Sequence, residues 1–564
     1  MNTYQKFLKK KHKVKIVNDF RELVYSSAAE FGQRTAFQLR NRNISYEQFK
    51  NDYQALAMAM IKSGLKHKRI AVVGENSYEW ILVYLAASSV GVVVPIDKEL
   101  SHEDIENFMD AADCVAVFAD EKIMKKLELS DGIQKYVITS KAETEYGVLI
   151  SEYIDRGYDR CFSGKTEFDD MHIDAENMSI LIFTSGTTGN AKGVMLSQKN
   201  IIANIIAIGQ MVKVDTTIHA LSVLPLHHTY EATIGHLLLL CSGSCISYCD
   251  GLKYVGKNIS EYQPSVLIVV PLLMEFMLKT IDKSVRQSLP AKFNKGKDVP
   301  FNELFKSLPG FLKFIVKRKV RKSLGGRLRL MIVGAAAIKP EIIEAFQLLG
   351  MTTYQGYGLT ECSPLLAGNN DFYSNINAVG LPIHGVEIQI ENPDEEGVGE
   401  IVAKGDNIML GYYNDPEATE EVMRGGYFHT GDLGKFDEEG FLYITGRCKS
   451  VIVTRNGKNI YPEELETRFM EEPLVEEVLV VGVDSDKKDD IVVKAKIYPC
   501  MNEIKTLHPE EVTNEIIATE IKAIVDKIND KLPAYKKIKS VEVVAEPFEK
   551  TTTKKIKRFG NNVS

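Results

Sequence analysis

The sequence predicts an α/β protein in which helices cover the faces of mainly parallel sheets. Three observations support this fold class. Strand and helix patterns alternate early in the chain, a glycine-rich loop follows directly on an apolar strand, and 564 residues are too many for one hydrophobic core. Alternating strands and helices are typical of parallel sheets that are covered on both faces. By length we expect about three or four structural units.

The alternation begins after Ile44. Ser45–Phe49 opens an amphipathic helix that should run to about Ser63. Predicted strands and a further helix follow in turn: strand Ile70–Val73, a helix near Tyr78 to Val90, and strands Val92–Pro95, Val115–Phe118 and Tyr136–Ile138. Later segments add short antiparallel strands between Gly399 and Asn414, which indicates a β-rich part of the molecule.

Composition narrows the functional classes. Hydrophobic residues make up 45% and charged residues 26% of the chain, as in soluble globular proteins, and the formal net charge of -7 argues against nucleic acid as the main partner. The eight cysteines are scattered, and the lysine-rich amino terminus lacks the apolar core of a secretory signal. We therefore expect a cytoplasmic protein.

Two basic segments leave a choice between solvent and a lipid surface. Residues 1–20 carry six lysines among apolar side chains, and residues 313–329 are rich in Lys and Arg interleaved with Phe and Ile. A frayed, solvated terminus and a solvated helix face are the favoured interpretations. The sharper alternatives are peripheral contact with the inner face of a membrane and, for residues 313–329, contact with the phosphates of coenzyme A.

The glycine-rich stretch Thr184–Val194 follows the apolar run Ile180–Phe183 and precedes a helical pattern that starts at Gln198, so the sequence predicts strand, loop and helix. Glycines permit positive φ and close backbone approach, and hydroxyls with a lysine supply donors to phosphate oxygens. The spacing does not match a Walker A loop. We predict a polyphosphate site built from Thr184, Ser185, Gly186, Thr187, Thr188, Gly189 and Lys192.

This stretch resembles the phosphate-binding signature of the adenylate-forming enzymes, the superfamily of acyl-CoA synthetases, peptide-synthetase adenylation domains and beetle luciferases. Further motifs follow in the family's order, so the resemblance extends roughly from Phe31 to Arg558. It implies a large amino-terminal domain of helix-covered parallel sheets with a β-rich subdomain, over residues 1–446. A small mobile α+β domain should occupy residues 447–564.

Two segments are expected to hold the nucleotide. Leu330–Ala337 is a predicted buried strand that ends in small residues, so a ligand could lie against the backbone of Gly334, Ala335 and Ala336. Tyr354–Glu361 resembles the family's adenine and metal motif. Its expected contacts are Gln355 and the backbone of Gly356 and Gly358, the ring of Tyr357 for a base, the hydroxyl of Thr360 for the α-phosphate and the carboxylate of Glu361 for Mg²⁺.

The resemblance also assigns residues around the domain junction. Asp432 should accept hydrogen bonds from both ribose hydroxyls, a task that suits an acceptor-only carboxylate. Ile444 should touch the adenine, Arg447 the ribose, and Lys449 should be the hinge. Past the hinge, Val451–Ile460 contains an Asn-Gly pair, which predicts a hairpin.

Two positions carry the expected chemistry outside the nucleotide motifs. The terminal Thr/Lys-rich segment matches the family's lysine motif imperfectly, because Lys554 stands where many members have glycine; Lys555 is the expected catalytic lysine and Lys554 the alternative. His228, in Leu224–Glu231, resembles the active-site histidine beside the acyl tunnel of long-chain acyl-CoA synthetases. Positioning the acyl group or carboxylate and an ordinary structural role remain equally open for it.

Together these residues predict an ATP-dependent fatty acid:CoA ligase that uses Mg²⁺ and acts on medium- to long-chain acids. Lys555, Thr184, Glu361, Lys192 and His228 form the expected catalytic set. Transfer to an acyl carrier protein is an alternative second step, and a noncatalytic acyl-nucleotide sensor is an alternative from a different class. The acyl chain length stays open, as does the choice between monomer and homodimer.

Overall fold

The computed structural model describes residues 1–138, 143–185, 191–293, 296, 299–453, 459–484, 491–510, 512–550, 556 and 558. Within this part of the chain the predicted α/β class is confirmed: a large amino-terminal domain contains two mainly parallel sheets and a β-rich unit, and a smaller domain follows. No helix of these residues is long and apolar enough to cross a bilayer.

The first sheet contains the strands that the early periodicity predicts. Its central strand, Val92–Ile96, is buried along its whole length, as expected when helices cover both faces. In spatial order the strands are Gly411–Tyr412, Ala191–Ser197, Met178–Ser185, Val92–Ile96, Arg69–Val73, Cys114–Asp120, Gln134–Ile138 and Val148–Leu149. The predicted strands are therefore confirmed, each one or more residues longer than expected.

The second sheet carries the strand predicted at Leu330–Ala337 near its middle, but the strand ends at Val333, before the small residues. Its neighbours Val266–Val269 and Thr352–Gly358 both run parallel to it. In spatial order the strands are Leu381–Pro382, Leu365–Gly368, Thr352–Gly358, Leu330–Val333, Val266–Val269, His219–Ser222, Cys245–Tyr248, Thr35–Gln38 and Asn43–Ser45.

The β-rich unit is antiparallel. Its longest strand, Tyr427–Phe436, pairs with Gly399–Gly405, Leu442–Arg447 and the short Met423–Arg424, and Val386–Glu391 closes the edge. The predicted strands between Gly399 and Asn414 divide between two sheets, because Gly411–Tyr412 pairs with Ala191–Ser197 in the first sheet. Gly411–Tyr412 therefore connects the β-rich unit to the strand that follows the glycine-rich stretch.

Helices pack between and around these sheets. Ser45 caps the predicted helix Tyr46–Lys62 by accepting from the backbone N–H of Gln48, and Tyr78–Val90 is buried on nearly every side because it lies between layers. The further helices of the large domain are Thr3–Phe7, Phe20–Phe31, His102–Ala111, Glu121–Met124, Ile150–Phe162, Gln198–Met211, Leu238–Cys241, Val255–Tyr262, Pro271–Ser288, Phe301–Ser307, Gly310–Ser323, Pro340–Leu348 and Pro416–Val422, with a π-helix over Glu231–Leu237.

The small domain is an α+β unit with its own apolar core. Strands Val475–Asp484, Ile491–Pro499 and Ile538–Val543 form its sheet, and helices Pro462–Phe469, Met501–Leu507 and Asn514–Asn529 accompany it. Ile452–Val453 pairs antiparallel with Asn459–Ile460, as the hairpin prediction requires. The predicted Asn-Gly turn itself lies outside the described residues.

The amino terminus differs from the prediction of a frayed, solvated segment. Thr3–Phe7 forms a short helix, the backbone N–H of Thr3 donates to Glu439 at 2.8 Å, and the buried Phe7 ring stacks on His384 with centroids 4.5 Å apart. Further on, the His12 ring lies 2.8 Å from Asp371. The apolar side chain at position 7 anchors this basic terminus on the β-rich unit, which periodicity alone does not reveal.

Candidate active site

The small-residue segment and the adenine motif lie at the edge of the second sheet that is formed by the carboxyl ends of its parallel strands. Their strands are parallel neighbours in which Val333 pairs with Gln355, so Gly334 and Gly356 both follow at the carboxyl ends, where α/β proteins bind ligands. Ala335 has φ +69°, a left-handed conformation that costs an alanine about 1 kcal/mol. Exposed backbone held in such a conformation is typical of functional sites.

Part of the adenine motif is explained by packing within the sheet. A Cβ at Gly358 would lie 1.8 Å from the Pro364 carbonyl oxygen, so glycine is required for the turn into the next strand. The Gln355 amide donates to the carbonyl oxygens of Ile376 and Ala378 at 3.1 and 2.6 Å. Nucleotide contact by Gln355, Gly356 and Gly358 therefore stays a prediction beside these structural roles.

Asp432 links the adenine motif to the domain junction. The Tyr357 hydroxyl donates to Asp432 Oδ2 at 2.8 Å, and Arg447 Nε lies 2.8 Å from the other carboxylate oxygen. The Asp432 side chain is only 7% exposed, so this carboxylate is held in one orientation by two donors. Three residues predicted to touch base or ribose thus converge, although they are up to 90 positions apart in the sequence, on strands Thr352–Gly358, Tyr427–Phe436 and Leu442–Arg447.

A second chain of contacts joins the predicted metal ligand to the phosphate-loop lysine. Glu361, in the turn Thr360–Cys362, accepts a hydrogen bond from the Tyr412 hydroxyl at 3.1 Å. The Lys192 ammonium lies 4.7 Å from the centroid of the same tyrosine ring. Tyr412 therefore contacts both Lys192 and Glu361. The sequence indicated Tyr412 only as part of the predicted strand stretch that ends at Gly411–Asn414.

The electrostatics of Glu361 suit a divalent cation. Burial, the largest cause, raises the pKa of this carboxyl, and the Tyr412 hydrogen bond and the charge of Arg447 oppose the shift. The negative charge of Asp432 raises the pKa of Glu361 further. A hard cation at this position would favour the charged carboxylates and offset their desolvation.

The phosphate loop itself lies largely outside the described residues, which exclude Gly186, Thr187, Thr188 and Gly189 and leave only the backbone of Ser185. The helix that begins at Gln198 is confirmed, but part of the expected loop is a second strand, Ala191–Ser197, which runs antiparallel to Met178–Ser185. Thr184 and Lys192 are directly paired across these two strands.

His228 lies in a turn that contacts the same sheet edge. Its ring is 4.0 Å from that of His227, centroid to centroid. Two residues later, the Tyr230 hydroxyl donates to the Ile332 carbonyl oxygen at 3.0 Å, and the Tyr230 ring would be 3.4 Å from a Cβ at Gly334. The segment that contains the predicted histidine therefore packs against the small-residue segment through Tyr230.

A buried polar group follows His228 in the π-helix Glu231–Leu237, a helix type frequent at functional sites. Burial raises the pKa of Glu231 to about 8 and lowers the pKa of His236 to about 4. Both are therefore neutral near pH 7. Sequence reasoning noted Glu231 only as part of a motif and did not find His236, since nothing in the local pattern marks either as buried.

Two predicted residues lie at the domain junction. Ile444 is 36% exposed on strand Leu442–Arg447, and Lys449, the expected hinge, is exposed in the single turn Cys448–Ser450 immediately after it. Helix Pro462–Phe469 packs against this strand, and a Cβ at Gly446 would lie 2.8 Å from the Glu463 carboxylate. Lys554 and Lys555 lie outside the described residues.

Sequence reasoning missed three residues that position the site. Asn204 and Asn407 are buried, and both side-chain amides donate to the Cys362 and Leu365 carbonyl oxygens, which holds the turn that follows Glu361. The Glu400 carboxylate accepts from the Gly431 backbone N–H at 3.1 Å, directly before Asp432. Such residues act through long-range backbone contacts, so no local pattern identifies them.

Comparison with known families and proteins agrees with this arrangement. The family model "AMP-binding enzyme" matches residues 24–413, and "AMP-binding enzyme C-terminal domain" matches residues 449–559. Among curated proteins, human long-chain-fatty-acid–CoA ligase 1 is 29% identical over 476 residues, which cover 78% of this chain and 67% of the relative. Long chain acyl-CoA synthetase 1 of Arabidopsis thaliana is 29% identical over 553 residues, which cover 89% of this chain and 82% of the relative.

Solved structures share the fold at lower sequence identity. ATP-bound MatB from Rhodopseudomonas palustris has a TM-score of 0.73 and 21% identity, with 96% of this chain and 97% of that chain covered. O-succinylbenzoate coenzyme A synthetase from Bacillus subtilis, solved with ATP and magnesium, has a TM-score of 0.71 and 19% identity, with coverage of 95% and 98%. These likenesses show the fold of both domains.

Proposed function

This chain belongs to the AMP-binding enzyme family, and we propose that it joins a fatty acid to coenzyme A in an ATP-dependent, AMP-forming reaction. In the first step a carboxylate oxygen attacks the α-phosphorus of ATP, which forms the acyl adenylate and releases pyrophosphate. In the second step the thiol attacks the acyl carbonyl and expels AMP. No nucleophilic side chain is needed, so the protein acts by positioning substrates and stabilising charge.

The observation that carries this proposal is the convergence of Asp432, Tyr357 and Arg447 beside Glu361. A carboxylate held by two donors can accept from a ribose diol, and the neighbouring aromatic ring offers a face for a base. The exposed backbone at Ala335 lies at the same sheet edge. The donor and acceptor types present therefore fit an adenosine group.

Glu361 is the side chain that we expect to bind Mg²⁺. Burial disfavours the charged form of this carboxyl and raises its pKa, and a bound cation would offset that cost and favour the carboxylate. A bound Mg²⁺ supplies charge stabilisation to the phosphates. We expect phosphate oxygens to be bound by Lys192, whose ammonium lies over the Tyr412 ring, and by Thr184, its partner across the two strands. The same role is proposed for Ser185, Gly186, Thr187, Thr188, Gly189 and Thr360.

His228 and Gly334 support an acyl site next to the nucleotide. Tyr230, two residues after His228, packs where Gly334 and Ala335 follow their strand. A substrate carboxylate bound there would lie between the acyl and nucleotide sites. The long-chain ligases among the relatives favour a medium- to long-chain fatty acid as the substrate class.

The small domain is assigned the second part of the mechanism. We place the boundary at 446/447, with Lys449 as the hinge, because the turn Cys448–Ser450, in which Lys449 is exposed, separates the last strand of the β-rich unit from the small-domain core. Lys555 is the proposed lysine that neutralises charge on the carboxylate and α-phosphate during adenylation, since an ammonium is a compact, mobile charge.

Pyrophosphate release from the purified enzyme, measured across carboxylic acids of graded chain length with and without coenzyme A, tests this function. We expect ATP- and Mg²⁺-dependent release that is greatest with a medium or long chain, and acyl-CoA as the product. Acyl transfer to an acyl carrier protein but not to coenzyme A would assign the alternative acceptor. Nucleotide binding without any pyrophosphate release would instead indicate a noncatalytic sensor.

A further inference from the structure

The helix Gly310–Ser323 exposes large apolar side chains on the face opposite to its buried one. Leu312, Val316 and Val320 recur every four residues and pack into the domain, where they are 7%, 6% and 4% exposed. Phe311, Phe314 and Ile315 point away from that face and are 63%, 66% and 52% exposed. Three adjacent exposed apolar side chains of this size indicate an interaction surface rather than an ordinary solvated face.

The same outer face is strongly basic. Arg318 and Lys322 continue it, respectively one and two turns beyond Phe314, because residues four apart lie on the same side of a helix. Between Gly310 and Arg329 the sequence has eight lysines and arginines and no aspartate or glutamate, in a protein whose net charge is -7. Among the described residues, none of these cations has an ion pair with a carboxylate, so their charges remain available to an anionic partner.

We propose that this helix is an interfacial anchor that lies in the surface of an anionic lipid bilayer, with Phe311, Phe314 and Ile315 inserted and Arg318 and Lys322 against the headgroups. An amphipathic helix with aromatic residues on one side and Lys and Arg around them is suited to this environment. Insertion supplies apolar burial, and the cations add attraction to anionic headgroups. The two contributions together suffice for reversible binding where either alone is weak.

The fold holds this helix rigidly enough to present the face. Its buried side packs into the cluster that contains Met274, Phe305 and Val333, and the Lys319 ammonium donates to the Ser288 hydroxyl of the preceding long helix. That long helix, Pro271–Ser288, also exposes Leu272 and Phe276 (60% and 67%) at its own amino-terminal end. The anchor is thus a supported surface element.

Co-flotation of the purified full chain with vesicles tests the proposal. Vesicles of phosphatidylcholine with phosphatidylglycerol should bind the protein, vesicles of phosphatidylcholine alone should bind it weakly, and added salt should weaken the binding because it screens the headgroup charge. The triple variant F311S/F314S/I315S should lower partitioning at least about tenfold. The pair R318Q/K322Q should lower it by roughly fivefold per cation.

Matched controls separate this helix from general surface chemistry. Phe162→Ser removes an exposed aromatic ring elsewhere (84% exposed), and K66Q/K122Q removes two exposed lysines elsewhere; all should bind as the unaltered chain does. Thermal unfolding of every variant should be unchanged, because the substituted side chains are exposed.

Three results would overturn the proposal. They are equal binding to neutral and anionic vesicles, unaltered vesicle binding by both helix variants, and loss of binding in the controls to the same extent. A helix variant that weakens the affinity for coenzyme A or changes the oligomeric state while vesicle binding persists would instead assign the face to that partner. None of these measurements depends on the proposed ligase activity, so the two proposals can fail separately.

Discussion

Replacing Asp432 with alanine removes the acceptor that joins the adenine motif to the domain junction. In the structure this carboxylate receives the Tyr357 hydroxyl and Arg447 Nε, both at 2.8 Å. A bound ribose would compete for or share the same oxygens. The substitution should therefore affect both the stability of the protein and its affinity for ATP, and the two effects can be measured apart.

The expected magnitudes follow from the contacts. A hydrogen bond to a charged group contributes about 1.5 to 3 kcal/mol. Because the Arg447 side chain is 41% exposed and its charge is screened, we expect a total loss of only about 2 kcal/mol in the free energy of unfolding. Ribose hydroxyls left without an acceptor should cost a further 1 to 3 kcal/mol, or roughly fivefold to a hundredfold in the Kd for ATP.

Urea unfolding and isothermal titration with ATP measure the two quantities on the same preparation. Asp437→Ala is the matched control, since Asp437 directly follows the same strand and its carboxylate accepts from the Phe441 N–H and the Tyr443 hydroxyl. It should lose stability without losing ATP affinity. An unchanged Kd for the Asp432 variant, or an equal change in both variants, would refute a role in binding the ribose.

Four further predictions concern the buried Glu231, the metal site, the terminal lysine and the hinge. The folded protein retains the Glu231 proton up to a pKa of about 8, whereas the unfolded chain loses it near the ordinary pKa of 4.5, so the free energy of unfolding should fall as pH rises through this range. Glu231→Gln should remove about 3 kcal/mol of that loss by pH 7. Urea unfolding at several pH values measures it. Tyr412→Phe should raise the Mg²⁺ concentration for half-maximal activity about fivefold, whereas Tyr413→Phe should not. Lys555→Ala should slow adenylate formation by on the order of 10²- to 10³-fold. Lys449→Pro should mainly impair thioester formation. Equal losses in both steps, for either variant, would contradict the assigned roles.

Local pattern determined the elements themselves. The capped helix from Tyr46 is found where amphipathic helical periodicity predicts it, and the strands Val92–Ile96 and Leu330–Val333 lie within or overlap the apolar runs that predict strands. These signals are carried by neighbouring residues, so they survive without knowledge of the fold. The motif residues Tyr357, Asp432 and Arg447 were recognised differently, because each lies in a short stretch that resembles a motif of the adenylate-forming enzymes.

Tertiary structure alone decided which of these residues meet. Lys192 reaches Tyr412 across 220 positions of sequence, and Tyr412 reaches Glu361 across 51. The second strand Ala191–Ser197 forms because Gly411–Tyr412 and Met178–Ser185 pair on either side of it, although the segment itself contains few β-branched residues. Likewise, Phe7 is buried against His384, a distant residue that makes the basic terminus an ordered part of the fold. Pairing and burial depend on partners far along the chain, and the free energy of those contacts outweighs local propensity.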